Sequence, residues 1–338
     1  MISVVIPLYN KAHTIVNTLN TVFAQTYQDF EVVIVNDGST DKGVEVIQQH
    51  FNDKRIRIIH QKNAGVSAAR NRGVDESHGE WIAFLDADDE WMPKYLYTLI
   101  NALKKYPSAE MIGCASYHKD FFSGKISANA LIDKYYKRCV HINYFMNPDK
   151  MTHIGATIIK KMIFKQVGGF DCTLINNEDL LLQSLIAMRG HFIYVGECLH
   201  IYVGNVPGQS TSDISKQRRR TMNNFKVLNQ IYSSYQKNNI KNRLIPISIK
   251  YRGRHALLGL LKEKRYSLIK DAMSQLDSNL QKKIFISTKI LETPLFNKFC
   301  IIYIYITKII WRTHRFPRVG TLSRYNTELS NKYKMVHD

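Results

Sequence analysis

At 338 residues the chain exceeds what one typical core holds and fits two domains of roughly 100–200 residues each. An apolar share of 45% places the chain with globular proteins and excludes a disordered one. The net charge of +19 is confined to one part: residues 1–212 hold 21 basic and 21 acidic side chains, whereas residues 213–338 hold 26 and 7. So sharp a split predicts two regions with different tasks, 1–212 and 213–338.

Residues 2–8 form a β-branched run closed by Pro7, which predicts a first strand, and residues 13–25 carry a helical pattern. A second strand over 30–36 ends in the turn-rich Asp37-Gly38-Ser39-Thr40-Asp41. A helix over 42–51, a third strand over 55–60, a loop at Asn63-Ala64-Gly65 and a helix over 67–74 follow. Residues 81–85 read as a short buried strand that runs straight into Asp86, Asp88 and Asp89. Strands alternating with helices predict βαβ units and an α/β fold with a mostly parallel, doubly wound sheet. In such a sheet the ligand crevice lies at the carboxyl ends of the strands. Tyr9-Asn10, Asn36-Asp37-Gly38, Gln61-Lys62-Asn63 and Asp86-Ala87-Asp88 all fall at those ends, so polar groups converge on one rim.

A helix over 95–106 leads into a less regular stretch up to residue 150, and 151–160 reads as a strand. Gly168-Gly169-Phe170-Asp171 is a turn, and Glu178-Asp179 opens an apolar helix over 180–188. Residues 203–212 read as a loop, and 216–269 as mostly helical, with Tyr, Leu and Ile three or four apart. There is no internal repeat.

Five scattered cysteines without a C-x-x-C suggest reduced core residues and a cytosolic compartment. The N-terminus shows no basic segment or cleavage site of a signal peptide. The longest apolar run, 299–311, is broken by Lys308 and falls short of the ~20 residues that a membrane-spanning helix needs.

Three carboxylates within four residues at a strand end are unfavourable unless a cation or hydrogen-bond donors meet them. Hard oxygen ligands on a short tether suit Mg²⁺ or Mn²⁺, which keep open positions for water and substrate phosphates. A solvated acidic turn is the plainer reading of these residues taken alone.

Val4-Val5-Ile6-Pro7-Leu8-Tyr9-Asn10, Val35-Asn36-Asp37-Gly38-Ser39-Thr40-Asp41, Asn63 through Gly73 and Phe84-Leu85-Asp86-Ala87-Asp88-Asp89 together resemble the family 2 glycosyltransferases of the GT-A fold. Gly168-Gly169-Phe170-Asp171 with Glu178-Asp179 resembles that family's acceptor-side motif, and the resemblance covers residues 1 to about 212. It implies an inverting transfer of a hexose or N-acetylhexosamine from a nucleotide-sugar, a UDP-sugar first among them.

On that resemblance Asp37 accepts from the imide N–H of uracil, flanked by Pro7, Tyr9, Asn10 and Asn63. Arg70 is the donor for the pyrophosphate, because its planar fork matches phosphate oxygens. Asp88 is the metal ligand, with Asp86 and Ala87 beside the ribose and metal-bound waters. Asp89 and Glu90 begin the next element. Asp179 is the base on the acceptor hydroxyl, with Glu178 as its positioning partner or an acceptor contact. Family members often carry a basic residue or His before a Ser-rich loop; here His200 precedes it with no arginine nearby, and Gln209 and Ser210 are the candidates for the closing contact. His153 and His60 read as packing residues.

The basic region 213–338 combines Arg218-Arg219-Arg220, Lys282-Lys283 and the aromatic run ahead of Arg312, Arg315 and Arg318. Two readings stand: an interfacial helix docked on an anionic membrane, or a helical region packed on the catalytic domain. Nucleic acid is disfavoured as a partner, since no recognition motif is present. The expected acceptor is a glycan or lipid-linked glycan in cell-surface polysaccharide synthesis. The expected setting is the cytoplasm or the inner membrane face, with an oligomer open. Two rivals remain. A sugar nucleotidyltransferase would need a Gly-rich N-terminal loop, which Pro7-Leu8-Tyr9-Asn10 lacks, and a silent adaptor would not need Asp86, Asp88 and Asp179.

Overall fold

The computed structural model describes residues 1–129, 131–146, 152–208, 217–262, 265–284, 298–299 and 301–306. The first half alternates strand and helix: β1 (Ile2–Leu8), α1 (Ile15–Phe23), β2 (Phe30–Asp37), α2 (Gly43–His50), β3 (Ile56–Gln61), α3 (Val66–Glu76) and β4 (Trp81–Phe84). β5 (Glu90–Trp91), α4 (Tyr95–Lys105), β6 (Met111–Asp120), β7 (Ile126–Asn129) and β8 (Cys139–His141) follow. Then come β9 (Thr157–Lys160), α5 (Lys161–Gln166), α6 (Glu178–Ala187) and β10 (Phe192–Gly204). The last described elements are α7 (Gln217–Lys237), α8 (Leu244–Lys262), α9 (Tyr266–Ser274) and α10 (Ser278–Ile284).

All the strands join one sheet, ordered β3-β2-β1-β4-β9-β6-β10-β5, with β7 on β6 and β8 on β10. β3, β2, β1 and β4 run parallel, as do β6 and β10, while β9 lies antiparallel between β4 and β6. Alternation along each strand sorts its side chains to two faces. Ile2, Val4, Ile6 and Leu8 pack with Ile15, Leu19, Leu96 and Leu99 on one side. Val5, Ile82 and Phe84 pack with Phe164, Leu180 and Leu181 on the other. That second cluster continues without a break into Phe225, Leu228, Ile231, Ile249, Leu257 and Leu261, so the C-terminal helices share the core of the sheet.

The structure departs from the sequence reading in three places. The stretch read as irregular contains β6, a central strand, and the segment read as a loop is strand up to Gly204. β10 escapes a period-2 reading because its pairing with β6 slips between Val195 and Cys198 and again between Cys198 and His200. Gly196 lies in that irregular stretch, and a Cβ there would run into the carbonyl of Tyr135. Residues read as one strand over 151–160 instead make a 3₁₀ turn, Ile154–Ala156, before β9; residue 151 lies outside the described residues. Cys114 and Cys198 are buried thiols as expected, but Cys139 is half-buried and Cys172 exposed; Cys300 lies outside the described residues.

Candidate active site

The parallel strands deliver their C-terminal loops to one rim, and side chains bolt those loops together. Asn10, at φ 52°, accepts from the backbone N–H of Thr40 at 2.8 Å, and its own N–H donates to Ser39 Oγ at 3.1 Å. Asp41 accepts from the N–H of Ala12 at 2.8 Å and of Gly43 at 3.0 Å. Pro7 is half-buried on β1, and Tyr9 presents an exposed ring just beyond it.

Asp37 is buried at the end of β2. Its Oδ1 accepts from Gln61 Nε2 and the N–H of Ala64, both at 2.8 Å, and its Oδ2 from the N–H of Gly65 at 2.9 Å. A carboxylate offers about four acceptor positions, so one remains on Oδ2. Asn63, in the loop so held, is exposed.

Beyond β4, Asp86 and Asp88 each meet a cation. Arg70 Nη2 lies 2.6 Å from Asp86 Oδ1 and its Nη1 3.0 Å from Glu178 Oε1, so one buried guanidinium ties the β4 loop to the first turn of α6. The guanidinium carbon sits 5.2 Å from the centre of the Phe170 ring, whose face favours a cation. The neighbouring carboxylates, Asp86 and then Glu178, hold Arg70 charged against the burial that opposes it. Lys11 Nζ donates to Asp88 Oδ2 at 2.7 Å, with both side chains largely buried. Burial, and then the charge of Asp86, push the Asp88 carboxyl above its ordinary value despite Lys11. Ala87 is buried, and its carbonyl accepts from Thr14 Oγ1 at 2.8 Å, which holds the turn against α1.

These residues fit a divalent cation in one specific sense. Asp86 and Asp88 are hard oxygen donors on neighbouring positions after β4. No group of three or more His, Cys, Asp or Glu that could by itself hold a metal ion occurs among the described residues. An ion held here would complete its shell with water and phosphate oxygens, as Mg²⁺ does with one or two protein carboxylates.

The segment expected to face an acceptor is the turn before α6. Asn71 Nδ2 donates to the carbonyl of Phe170 at 2.9 Å, and its Oδ1 accepts the Phe170 N–H at 2.9 Å. This clamp explains the glycine before Phe170. Gly169 is at φ 68°, and a Cβ there would lie 2.8 Å from Asn71 Oδ1. Asp179 is buried at the start of α6, its Oδ1 accepting from the N–H of Leu180 at 2.7 Å. Its charge also reaches Arg70 and Tyr144, whose phenol is pushed up chiefly by burial.

The structure thus brings Arg70, Asp86, Glu178 and Asp179 together, with Asp88 next to Asp86. It also shows pairings that sequence reading did not assign. Lys11 carried only the weak signal of being the first cation after the β1 loop. Asp89 is fully buried and pairs with His200 Nε2 at 3.1 Å, and it accepts the N–H of Val203 at 3.0 Å. Burial pushes its carboxyl up to about 6 against the pull of His200. His200 Nδ1 in turn meets Ser116 Oγ at 3.1 Å, so this relay ties the acidic turn to β10 and β6. His153 stacks on Tyr202 at 5.3 Å; His60 is exposed, and its ring meets Asn36 Nδ2 at 3.2 Å. Gln209 and Ser210 lie outside the described residues.

Comparison with known proteins places the fold. Glycosyltransferase GlyA of Streptococcus pneumoniae is 29% identical over 211 residues, 60% of this chain and 30% of that protein. The uncharacterized glycosyltransferase YibD of Escherichia coli is 43% identical over 101 residues, 30% of this chain and 29% of its own length. The chain therefore spans about a third of the length of these curated relatives. The solved structure of TarS residues 1–349 of S. aureus in complex with UDP-GlcNAc superposes with a TM-score of 0.65 at 15% identity, covering 93% of this chain and 92% of that one. The fold is GT-A, with its helical C-terminal region included in the likeness. Residues 3–167 match the family described as "Glycosyl transferase family 2". Over those residues the chain is similar to glycosyl transferase family 2.

Proposed function

We propose that the protein is an inverting glycosyltransferase that moves a sugar from a nucleotide-diphosphate sugar, a UDP-sugar, to a hydroxyl of a glycan or lipid-linked acceptor. The observation that carries this reading is the bridge by Arg70, which joins a donor-side carboxylate, Asp86, to an acceptor-side one, Glu178. Leaving group and nucleophile would then be handled at two ends of one rigid unit. The UDP-GlcNAc held by TarS supports a UDP-sugar as the donor class.

The remaining acceptor position of Asp37 takes the imide N–H of the base, with Pro7, Tyr9, Asn10 and Asn63 lining its surroundings. Tyr9 is the exposed ring available for stacking. Asp88 and Asp86 would hold Mn²⁺ or Mg²⁺, which when bound neutralises charge developing on the diphosphate. Lys11 and Arg70 are the protein's own cations beside that charge. On the acceptor side the Asp179 carboxylate takes the hydroxyl proton. The oxygen forms its bond to the anomeric carbon while the bond to the diphosphate breaks, and the departing UDP keeps that electron pair. Attack opposite the leaving group inverts the anomeric centre.

We assign the catalytic domain to residues 1–212 and an accessory role to 213–338. No helix among the described residues is long and apolar enough to cross a membrane. Phe299, Ile302, Tyr303, Tyr305 and Ile306 are exposed, in a region rich in cations, which supports peripheral docking on an anionic inner membrane surface. The test is UDP release across a panel of UDP-sugars, with and without Mn²⁺ or Mg²⁺. Release from one donor that needs the cation, and that Asp88→Asn and Asp179→Asn both abolish, is the expected result. Near-wild-type transfer by Asp179→Asn would remove that residue as the base.

A further inference from the structure

The basic C-terminal region has no role in the chemistry so far, yet α7 reaches the segment that carries the base. Residues 171–177 hold no regular structure, and their course sets where α6 begins. On one side Asn71 clamps Phe170. On the other, three side chains of α7 take hold of the same short segment. Asn224 Oδ1 accepts from Asn176 Nδ2 at 2.9 Å and from Asn177 Nδ2 at 2.5 Å. Gln230 Nε2 donates to Asp171 Oδ2 at 2.9 Å, and Lys226 Nζ to Thr173 Oγ1 at 2.7 Å. Beneath them Phe225, Val227, Leu228 and Ile231 pack in the cluster that holds Leu180 and Leu181, so α7 is a firm support.

Asn224 is distinct among the three because it grips the two residues that directly precede Glu178. Asn177 is in the left-handed region, φ 58°, which sets the angle at which the chain enters α6 and so the direction of both carboxylates. We propose that Asn224 is a positioning residue of the acceptor half of the site, holding Asn176 and Asn177 so that α6 presents Asp179 to the attacking hydroxyl. The C-terminal region is then part of the catalytic centre as well as whatever else it docks to. The inference rests on the reading of Asp179 as the base. A displacement of about 1 Å at a reacting group can cost on the order of 10²-fold in rate.

Two variants cut the same tether from opposite ends. Asn224→Leu removes the acceptor oxygen. Asn177→Gly removes one donor, and glycine takes a positive φ freely, so folding is spared. Asn224→Asp keeps an oxygen that accepts both bonds. Turnover is read as UDP release into water from the donor that the wild type prefers, and affinity as UDP binding by calorimetry. Asn224→Leu and Asn177→Gly should slow release roughly 10–100-fold, with UDP affinity unchanged and Asn224→Asp restoring most of the rate. Deuterium uptake over 171–180 should rise in both slow variants, whichever donor is used. Wild-type release by a folded variant, an equal loss of UDP affinity, or unchanged uptake would overturn the inference. If Asn224→Leu fails to fold, Asn177→Gly decides alone. Failure of the wild type to release UDP from any donor would instead refute the proposed function, leaving the uptake measurement to judge the tether.

Discussion

Replacing Lys11 by methionine separates the protein's own cation from one that must be recruited. The Lys11 ammonium lies 2.7 Å from Asp88 Oδ2, with side-chain exposures of 14% and 9%, so water screens the pair only in part. A hydrogen bond to a charged group contributes about 1.5–3 kcal/mol net. A divalent ion approaching Asp88 in the donor-free protein must displace that bond. At about 1.4 kcal/mol per tenfold, Lys11→Met should tighten Mn²⁺ binding roughly 10–100-fold. Removing any nearby positive charge also raises cation affinity a little, so Lys62→Met, at an exposed lysine, serves as the control and should change it less than about threefold at 0.15 M salt. The assay is Mn²⁺ titration followed by the electron spin resonance signal of the free ion, without nucleotide. Affinity equal to that of the control, or weaker than wild type, would refute the competition between Lys11 and the metal at Asp88.

Arg70→Leu strands Asp86 and Glu178 without their shared buried partner, and stability should fall by about 3–5 kcal/mol in urea unfolding. Gly169→Ala forces a side chain into a left-handed position against Asn71 and should cost about 1–3 kcal/mol, read as a lower urea midpoint. Asp53 is held at about 2, below its ordinary 3.8, chiefly by its hydrogen bond from Arg55. That lowered value adds stability above the unfolded pKa, and the gain is lost as pH falls through the folded one. Asp53→Asn should therefore be less stable than wild type by about 0.5–1 kcal/mol at pH near 6, and the gap should close as pH approaches 2.

The strand-end clusters were legible because they are local. A run such as Val4-Val5-Ile6-Pro7 followed by Tyr9-Asn10 states both a strand and the loop at its end, and Phe84 through Asp88 does the same. The parallel half of the sheet follows from that alternation, and its topology forces the loops onto one rim. β6 and β10 were not legible: both strands are buried over most of their length, and the slips in β10 erase its period.

The site divides the same way. The sequence by itself determined which residues stand at the strand ends, that Asp86-Ala87-Asp88 and Glu178-Asp179 are separate carboxylate groups, and that the basic charge lies in the second region. Only the tertiary structure decided what each carboxylate faces. Lys11 and Asp88 are 77 positions apart, Arg70 and Glu178 108, and His200 and Asp89 111. Pairings at such separations depend on strand order and on which helix covers which face, and neither is encoded in any local window. The same holds for Asn224, an unremarked amide in a helix of the basic region until packing sets α7 beside the turn that opens α6.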